Sequence, residues 1–166
     1  AGNWDVFPDD DRTVVIAGNY NVTLDMNDSC ASIVMQAANA NNGFVTLDVN
    51  GFHLGVENNV TMLDRGRSGQ VVSIDVQNGG DMYIGGNLHM DKDGSNSNNN
   101  DMVVRLNDDN SLIYCEGDFL LEATSGNGNN DIGLSLEEDS RVECENMTVT
   151  LRQDLNDAYE LFRVNR

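Results

Sequence analysis

The chain has one lysine and one proline, and 28 acidic side chains against nine basic ones give its 166 residues a formal net charge of −19. Binding to phosphate requires a cluster of basic side chains, so nucleic acid and anionic membrane surfaces are not expected partners. No run approaches the roughly 18 apolar residues of a membrane-spanning helix, so we expect no membrane insertion. No charged and then apolar leader opens the chain, so a secretion signal would already have been removed before Ala1.

A hydrophobic pattern returns four times in the last two thirds of the chain, with a period of about 28 residues. Within each copy, apolar and polar residues alternate with period two, which is typical of strands and not of helices. The copies are VTLDVNGFHLGVENNVTM (45–62), VSIDVQNGGDMYIGGNLHM (72–90), VRLNDDNSLIYCEGDFLL (104–121) and LSLEEDSRVECENMTV (134–149). An internal repeat of this length indicates a coil of stacked turns.

When the copies are aligned, their apolar residues fall into four columns, as expected for side chains that fill a shared interior. The columns are Leu47, Ile74, Leu106 and Leu136; Val56, Ile84, Cys115 and Cys144; Val60, Leu88, Phe119 and Met147; and Met62, Met90, Leu121 and Val149. Asn, Gly, Asp and Ser, which suit tight corners, stand between the apolar segments. Each turn of the coil should therefore hold at least two short strands.

The pattern predicts an all-β, right-handed parallel β-helix of about five turns, since successive copies would stack one strand spacing, about 4.8 Å, apart. A less regular copy at 24–35 supplies the fifth turn. A jelly roll of hairpins is the alternative, but it requires no agreement between columns. We expect a single domain over residues 1–166. It would consist of an N-terminal cap and first strand (1–20), stacked turns (21–151) and a C-terminal cap or docking segment (152–166).

All three cysteines, Cys30, Cys115 and Cys144, fall in one inward column. As buried free thiols they would act as small hydrophobic residues. Cys115 and Cys144 should also lie on adjacent turns, within the Cα separation that a disulfide needs, so a bridge is the alternative. No CxxC or CxxCH spacing occurs, so the sequence gives no support to a zinc, haem or thioredoxin-like site.

The segment DKDGSNSNNND at 91–101 is the candidate ligand site. Asp91, Asp93 and Asp101 bracket amide and hydroxyl oxygens, and such hard oxygen ligands suit Ca²⁺. The spacing matches an EF-hand loop only in part, because the later carboxylates are missing. The alternative is an Asn- and Ser-rich corner loop without a ligand, like the segment at 125–131. Calcium is therefore the one cofactor that the sequence suggests.

Catalysis is not expected from the candidate residues. His53 and His89 occupy different columns and share no face, whereas nucleophile and base chemistry needs partners within hydrogen-bond reach. Asp48 and Asp75 stack outward on neighbouring turns, and Arg105 continues their column. This arrangement indicates a short charge ladder and not a catalytic pair of carboxylates.

The N-terminal segment GNWDVFPDDDRTVVIAGNYNVTLDMNDSCASIVM (2–35) resembles the opening of β-helical surface proteins that Bacteroidetes bacteria secrete. The matching residues are Gly2, Asn3, Trp4, Asp11, Val14, Ile16, Gly18, Val22, Thr23, Leu24, Asp25 and Cys30. That family is large, mostly extracellular and often adhesive. The resemblance implies a capped, extracellular β-helix and carries no catalytic residue over to this chain.

Both ends of a β-helix expose unpaired backbone groups and an apolar cross-section, so each end must be capped or joined to another chain. Trp4 and Phe7 are placed to cover the first turn. Beyond the last copy, the apolar residues either fold back as a cap or dock on the next subunit, which would generate an open filament. These C-terminal residues are Tyr159, Leu161, Phe162 and Val164.

Two functions follow from these observations. The first is a non-enzymatic, extracellular structural protein whose copies stack head to tail into a surface filament or stalk. The second is a surface adhesin or glycan-binding module, with Ca²⁺ as its candidate cofactor. The apolar C-terminal tail favours the first, and the polar loops favour the second. Both place the protein outside the cell or on its surface.

Overall fold

The structure is a computed structural model that describes residues 11–64, 66–92, 100–123, 131–151 and 162–165, with the backbone alone at 131, 151 and 162–165. In this part of the chain, 17 strands form three sheets, and all of the strand pairs are parallel. The chain passes from sheet A to sheet B to sheet C and returns to sheet A, so each turn holds three strands. The predicted parallel β-solenoid is confirmed, and the jelly roll, whose strands pair antiparallel, is wrong.

The strands of the three sheets are as follows. Sheet A consists of β1 (Thr13–Gly18), β4 (Ser32–Ala37), β7 (Val60–Leu63), β10 (Leu88–Lys92), β13 (Phe119–Ala123) and β16 (Met147–Leu151). Sheet B consists of β2 (Tyr20–Thr23), β5 (Phe44–Asn50), β8 (Val71–Gln77), β11 (Asp101–Asn107), β14 (Asp131–Glu137) and β17 (Phe162–Asn165). Sheet C consists of β3 (Asp28–Cys30), β6 (His53–Val56), β9 (Asp81–Ile84), β12 (Leu112–Cys115) and β15 (Arg141–Glu143).

The number of turns is slightly lower than predicted. Sheets A and B each have four strands with a neighbour on both sides, so the solenoid has about four turns that are flanked by others, against the five expected. Within the described residues, the outermost strand at each end of a sheet has one partner. These strands form the two ends of the coil, and their outer edges matter for the function argued below.

Three of the four predicted columns are confirmed by the strand register. In sheet A, Leu88 pairs with Val60 on one side and with Phe119 on the other, and Met147 continues the column. The column that begins at Met62 continues in the same way. In sheet C, Val56, Ile84 and Cys115 are successive partners, and Cys30 precedes them.

The first predicted column is wrong at one step, between its second and third members. Ile74 pairs with Val104 and not with Leu106, whereas the predicted pairs of Leu47 with Ile74 and of Leu106 with Leu136 are both present. The predicted register was shifted by two residues at this one step. A shift of two keeps every side chain on the same face, so the hydrophobic pattern cannot detect it.

Alternate residues of each strand point into a single axial core. In β5 and β11 the buried and less buried positions alternate without a break, as period-two sequences require. The core members in the middle turns, such as Leu47, Ile74 and Val104, have no exposed surface. Hydrophobic burial along this axis is the main stabilising term, at about 25 cal/mol for each Å² of apolar surface removed from water.

The corner between sheets C and A is held by side chains that bond from one turn to the next. The side-chain oxygen of Asn59 accepts the backbone N–H of Asn87, and that of Asn87 accepts the backbone N–H of Asp118, both at 2.8 Å. Asn146 extends the ladder, since its Nδ2 donates to Asp118 Oδ1 at 2.8 Å. These residues satisfy backbone groups that the bend removes from the strand ladders.

Candidate functional site

The predicted calcium site is only partly within the described residues. Asp93 lies outside them, while Asp91 lies in β10 and Asp101 opens β11. Among the described residues, no group of three or more His, Cys, Asp and Glu side chains is placed to hold a metal ion. Calcium binding at Asp91, Asp93 and Asp101 therefore stays a prediction.

A buried polar cluster lies at the corner that follows sheet A, beside the predicted calcium loop. Lys92, at an inward position of β10, is completely buried, and its Nζ lies 4.0 Å from Asp64 Oδ2. Asn100 donates from Nδ2 to both oxygens of Asp64, at 3.1 and 3.2 Å. Gln70 joins the cluster, because its backbone N–H donates to Asn100 Oδ1 at 2.9 Å. The residues line a small cavity together with Val72, Asp101 and Met102.

Sequence reasoning missed this cluster, although one signal was present. Leu88 and Met90 alternate inward along β10, so the same period places Lys92 inward as well. A charged side chain at an inward position needs a polar partner, because burial of an isolated charge is very costly. The partner, Asp64, comes from the preceding turn, where it lies two residues beyond Met62, as Lys92 lies two residues beyond Met90 in the correctly predicted column.

The outward face of sheet C carries a pair of aromatic residues. Tyr83 and Tyr114 are register partners on β9 and β12, and their rings stack with centroids 5.4 Å apart and an interplanar angle of 15°. Each keeps 37% of its surface exposed. The hydroxyl of Tyr83 donates to Glu116 Oε1, and this hydrogen bond is the main reason that the pKa of Tyr83 is raised.

The strand order places no side chain at the register position on one side of Tyr83. On the side away from Tyr114, the register partner of Tyr83 is Gly55, which has no side chain. A Cβ at Gly55 would meet only ordinary contacts, the nearest being Ser29 Cβ at 3.4 Å, so packing does not require glycine at this position. The result is a shallow shelf beside an aromatic ring. We call Gly55, Tyr83 and Tyr114 the tyrosine shelf.

The two histidines lie on different sheets, as predicted, but each contacts a carboxylate that the sequence did not reveal. His53 Nδ1 on sheet C lies 2.5 Å from Asp81 Oδ2, and His89 Nε2 on sheet A lies 2.8 Å from Glu122 Oε2. In both pairs the carboxylate comes from the next turn. Both carboxylates, and His53, are more than 40% exposed, so these contacts lie at the surface and not in an enclosed pocket.

The charge ladder predicted on sheet B is present. Asp48 and Asp75 are direct partners on β5 and β8, and Arg105 follows on β11. Arg105 Nη1 donates to Asp75 Oδ1 at 3.1 Å, and Gln77 Nε2 donates to Asp48 Oδ1 at 2.8 Å. Burial raises the pKa of Asp48, and the neighbouring charge of Asp75 adds to the effect, while the bond from Gln77 opposes it.

The three cysteines are free thiols. Cys30 and Cys115 are buried, and the half-buried Cys144 packs against the core one turn beyond Cys115. They therefore take the predicted place of small hydrophobic residues, and the alternative bridge between Cys115 and Cys144 is not formed in this structure.

The predicted capping residues are described only in part. Trp4, Phe7, Tyr159 and Leu161 lie outside the described residues. The backbone of β17, which includes Phe162 and Val164, pairs in parallel with β14 of the same chain. Within these four residues the tail thus extends its own coil, which corresponds to the folded-back alternative.

The two ends of sheet A differ in how well their inward columns are covered. At the N-terminal end, Val14 and Ile16 are only 7% and 4% exposed. At the C-terminal end, Met147 and Val149 occupy the same two columns but are 41% and 36% exposed. Among the described residues of sheet A, these two inward columns are therefore most exposed at β16.

Comparison with protein families, curated proteins and solved structures finds no match to this chain. The described residues also contain no helix that is long and apolar enough to cross a membrane. The chain is thus placed in the class of β-solenoid proteins by its fold alone.

Proposed function

We propose that this protein is a non-enzymatic, extracellular structural protein whose copies stack head to tail into a filament or stalk. The observation that carries the proposal is the exposure of Met147 and Val149, which continue two buried columns of the core to the end of sheet A. In a longer coil the side chains of Met147 and Val149 would be buried. A further turn stacked on β16 would therefore remove their apolar surface from water. A second copy supplies such a turn through its own first strands.

The direction of the strands favours the same geometry. Every turn within the chain adds its strands in parallel to the previous turn, so the outer edge of β16 and the opposite outer edge of β1 are complementary in their backbone donors and acceptors. Two different surfaces then meet at each contact, and such heterologous contacts continue without closure into a filament when the rotation does not form a ring. The resemblance to secreted surface proteins supports an extracellular location.

The test is assembly of the wild-type chain and of the double variant Met147→Gln, Val149→Thr. Both substitutions keep the approximate size of the side chain and are compatible with a β-strand, and they make the surface of β16 polar. Sedimentation velocity over a range of concentrations and negative-stain microscopy should show growing rods of uniform width for the wild type. The double variant should associate at least about tenfold more weakly, which corresponds to about 1.4 kcal/mol.

The matched control is Tyr83→Ser with Tyr114→Ser, which removes apolar surface from the side of the coil and not from its end. It should assemble like the wild type. A wild-type chain that stays monomeric at every concentration, or a polar-ended variant that assembles equally well, would show the proposal to be wrong.

A second candidate function, a glycan-binding surface module, is favoured by the tyrosine shelf. The partly exposed ring of Tyr83 is flat and apolar and lies beside Gly55, with the carboxylate of Asp81 and the imidazole of His53 in the adjacent outward column. Aromatic faces joined to a few polar groups are common in sites for small ligands. The net charge of −19 favours neutral over anionic polysaccharides.

Pull-down on insoluble neutral polysaccharides, cellulose and xylan, tests this candidate with and without added Ca²⁺. The variant Gly55→Leu fills the shelf while leaving both tyrosines in place, and it should abolish retention. The polar-ended variant Met147→Gln, Val149→Thr should bind the polysaccharides like the wild type. Loss of assembly in this variant and loss of binding in Gly55→Leu therefore distinguish the two functions. Equal retention of wild type and Gly55→Leu would exclude the shelf as the binding site.

A further inference from the structure

The buried cluster around Lys92 contains an amine, a carboxamide and a carboxylate, and the carboxylate of Asp64 lies close to both of the others. Lys92 is the only lysine in the chain and has no exposed surface. Its Nζ lies 4.0 Å from Asp64 Oδ2, and the Asp64 side chain is 3% exposed. Asn100, which is 2% exposed, donates from Nδ2 to both carboxylate oxygens. All three residues line the same small cavity, whose other walls include the apolar Val72 and Met102.

The orientation of the Asn100 carboxamide is determined by its partners. The backbone N–H of Gln70 can only donate, so the atom that it contacts at 2.9 Å is the oxygen Oδ1. The nitrogen Nδ2 then faces Asp64. The carboxamide carbon thus has a hydrogen-bond donor on its oxygen and a proton acceptor beside its nitrogen. These are the groups that stabilise a tetrahedral intermediate and assist the departure of an amine.

We propose that Lys92 and Asn100 form an intramolecular isopeptide bond, with Asp64 as the group that transfers protons. In this step the lone pair of Nζ attacks Cγ of Asn100, and the negative charge that develops on Oδ1 is stabilised by the Gln70 N–H. Asp64 first accepts a proton from the Nζ ammonium, which frees the lone pair for the attack. It then passes that proton to Nδ2 and accepts the second proton of Nζ, so Asp64 is protonated at the end of the step. The bond between Cγ and Nδ2 then breaks, and one molecule of ammonia leaves. Lys92 loses hydrogen, Asn100 loses its amino group, and no oxidant or reductant is needed.

The surroundings favour the product over the starting groups. A buried charged pair carries a large desolvation penalty, which is removed when the amine becomes part of a neutral amide. Because the cavity is buried and partly apolar, access of water for the reverse hydrolysis is restricted. The bond would join the end of β10 to the residue before β11, across the loop where the chain passes from sheet A to sheet B. The inference does not depend on the proposed function.

Because Lys92 is the only lysine, the bond can be tested without ambiguity. The denatured wild-type protein should be lighter than its sequence mass by one ammonia molecule. A lysine-specific endopeptidase acting on the denatured chain should leave it intact, because an acylated Lys92 is not a substrate. Fragment-ion spectra of the tryptic peptide that spans 68–105 should locate the link between Lys92 and Asn100. An unmodified mass together with cleavage into two fragments at Lys92 overturns the proposal.

Three variants complete the design. Asp64→Asn keeps the size of the side chain but cannot transfer protons, and Asn100→Ala removes the reacting carbon. Both should show the full sequence mass and complete cleavage at Lys92. Arg105→Lys, the matched control, places a lysine beside Asp75. The endopeptidase should cleave this denatured variant at position 105, while Lys92 stays resistant.

The remaining outcomes are also decisive. Loss of ammonia with normal cleavage at Lys92 would place the loss at another asparagine and contradict the proposal. A bond that still forms in Asp64→Asn would contradict the role of Asp64. If a variant does not fold, the mass and the digestion of the wild type still decide whether the bond exists.

Discussion

Ile84 and Cys115 are direct partners on the parallel strands β9 and β12, and both side chains point into the core. Burial raises the pKa of the Cys115 thiol to about 12, and the neighbouring Cys144 adds to the effect. At neutral pH the thiolate of Cys115 is therefore about a thousandfold rarer than that of a thiol with the ordinary pKa of 9.0.

We predict that Cys115 and the buried Cys30 do not react with a disulfide reagent in the native protein at pH 8, whereas the half-buried Cys144 reacts slowly. A thiol titration should give about one reactive group when folded and three in denaturant. Cys144→Ser should abolish the native reaction. Rapid modification of all three thiols in the folded protein would contradict the burial of Cys30 and Cys115 in the core.

The same shift predicts a loss of stability at alkaline pH. The folded pKa of Cys115 lies above the unfolded value, so the folded state holds its proton more tightly. The contribution of this group is fully present below about pH 9 and is lost as the pH rises from there towards 12. Urea denaturation at pH 8 and pH 10 should show a larger fall for the wild type than for Cys115→Val. An equal fall in both proteins would assign the effect to other groups.

Asp48 and Asp75 on sheet B should respond differently to neutralisation. Asp48→Asn removes a carboxylate whose pKa is raised by burial and by Asp75, and its Oδ1 can still accept the bond from Gln77. We expect this variant to be as stable as the wild type or more stable by a few tenths of a kcal/mol at pH 7. The advantage should shrink as the pH falls, since wild-type Asp48 then becomes neutral.

The matched variant Asp75→Asn removes the partner of Arg105. It should lower the free energy of unfolding by about 0.2 to 1 kcal/mol, less in high salt, because the pair is partly exposed. Urea denaturation at two salt concentrations measures both variants. The reverse order of stabilities would contradict the charge ladder as described.

Gly80 lies at the corner between sheets B and C, close to the backbone of the preceding turn. A Cβ at this position would lie 2.4 Å from the carbonyl oxygen of Val49 and 3.0 Å from the backbone nitrogen of Gly51. Because both atoms belong to the backbone, Gly80→Ala should destabilise the protein by about 2 kcal/mol or more. The control is Gly55→Ala, where contacts are ordinary, and it should change the free energy of unfolding by less than about 0.5 kcal/mol. Similar effects of the two variants in thermal denaturation would be inconsistent with this packing.

The column that contains Leu88 and Met147 predicts a gradient of sensitivity along the coil. Leu88 has no exposed surface, so Leu88→Ala should cost about 2 to 5 kcal/mol. Met147 is 41% exposed at the end of the same column, so Met147→Ala should cost the monomer less than about 1 kcal/mol. Urea denaturation at low protein concentration, where assembly does not contribute, separates the two. Equal costs would mean that the C-terminal end is covered in solution.

Much of the fold could be predicted because its strongest signals are local. Alternation with period two identified the strands, and recurrence of that alternation identified the stacked turns. Residues such as Val60, Leu88 and Phe119 recur at corresponding points of their copies, so their column was correct. The pair of Tyr83 and Tyr114 could have been found in the same way, since each precedes a residue of the correctly aligned column of Ile84 and Cys115.

Other features depend on contacts between turns that the alternation does not encode. The column of Ile74 was misplaced because a shift of two residues conserves the inward face, and only the backbone ladder selects Val104 as its partner. The partner of His53 could have been read from the correct column of Val56 and Ile84, since Asp81 is its register partner. The partner of His89 could not, because Glu122 lies two residues beyond the register partner Leu120 and is reached only by the side chains.

The amino-acid sequence by itself determined that this protein is a coil of parallel strands with an apolar axis, because burial of alternate side chains leaves few other solutions for a repeat of this kind. Only the tertiary structure decided that each turn has three sides, that Lys92, Asp64 and Asn100 line one cavity, and that Met147 and Val149 are partly exposed on β16. These outcomes depend on which residues of neighbouring turns lie opposite one another, and that register is set by backbone hydrogen bonds and corner geometry together.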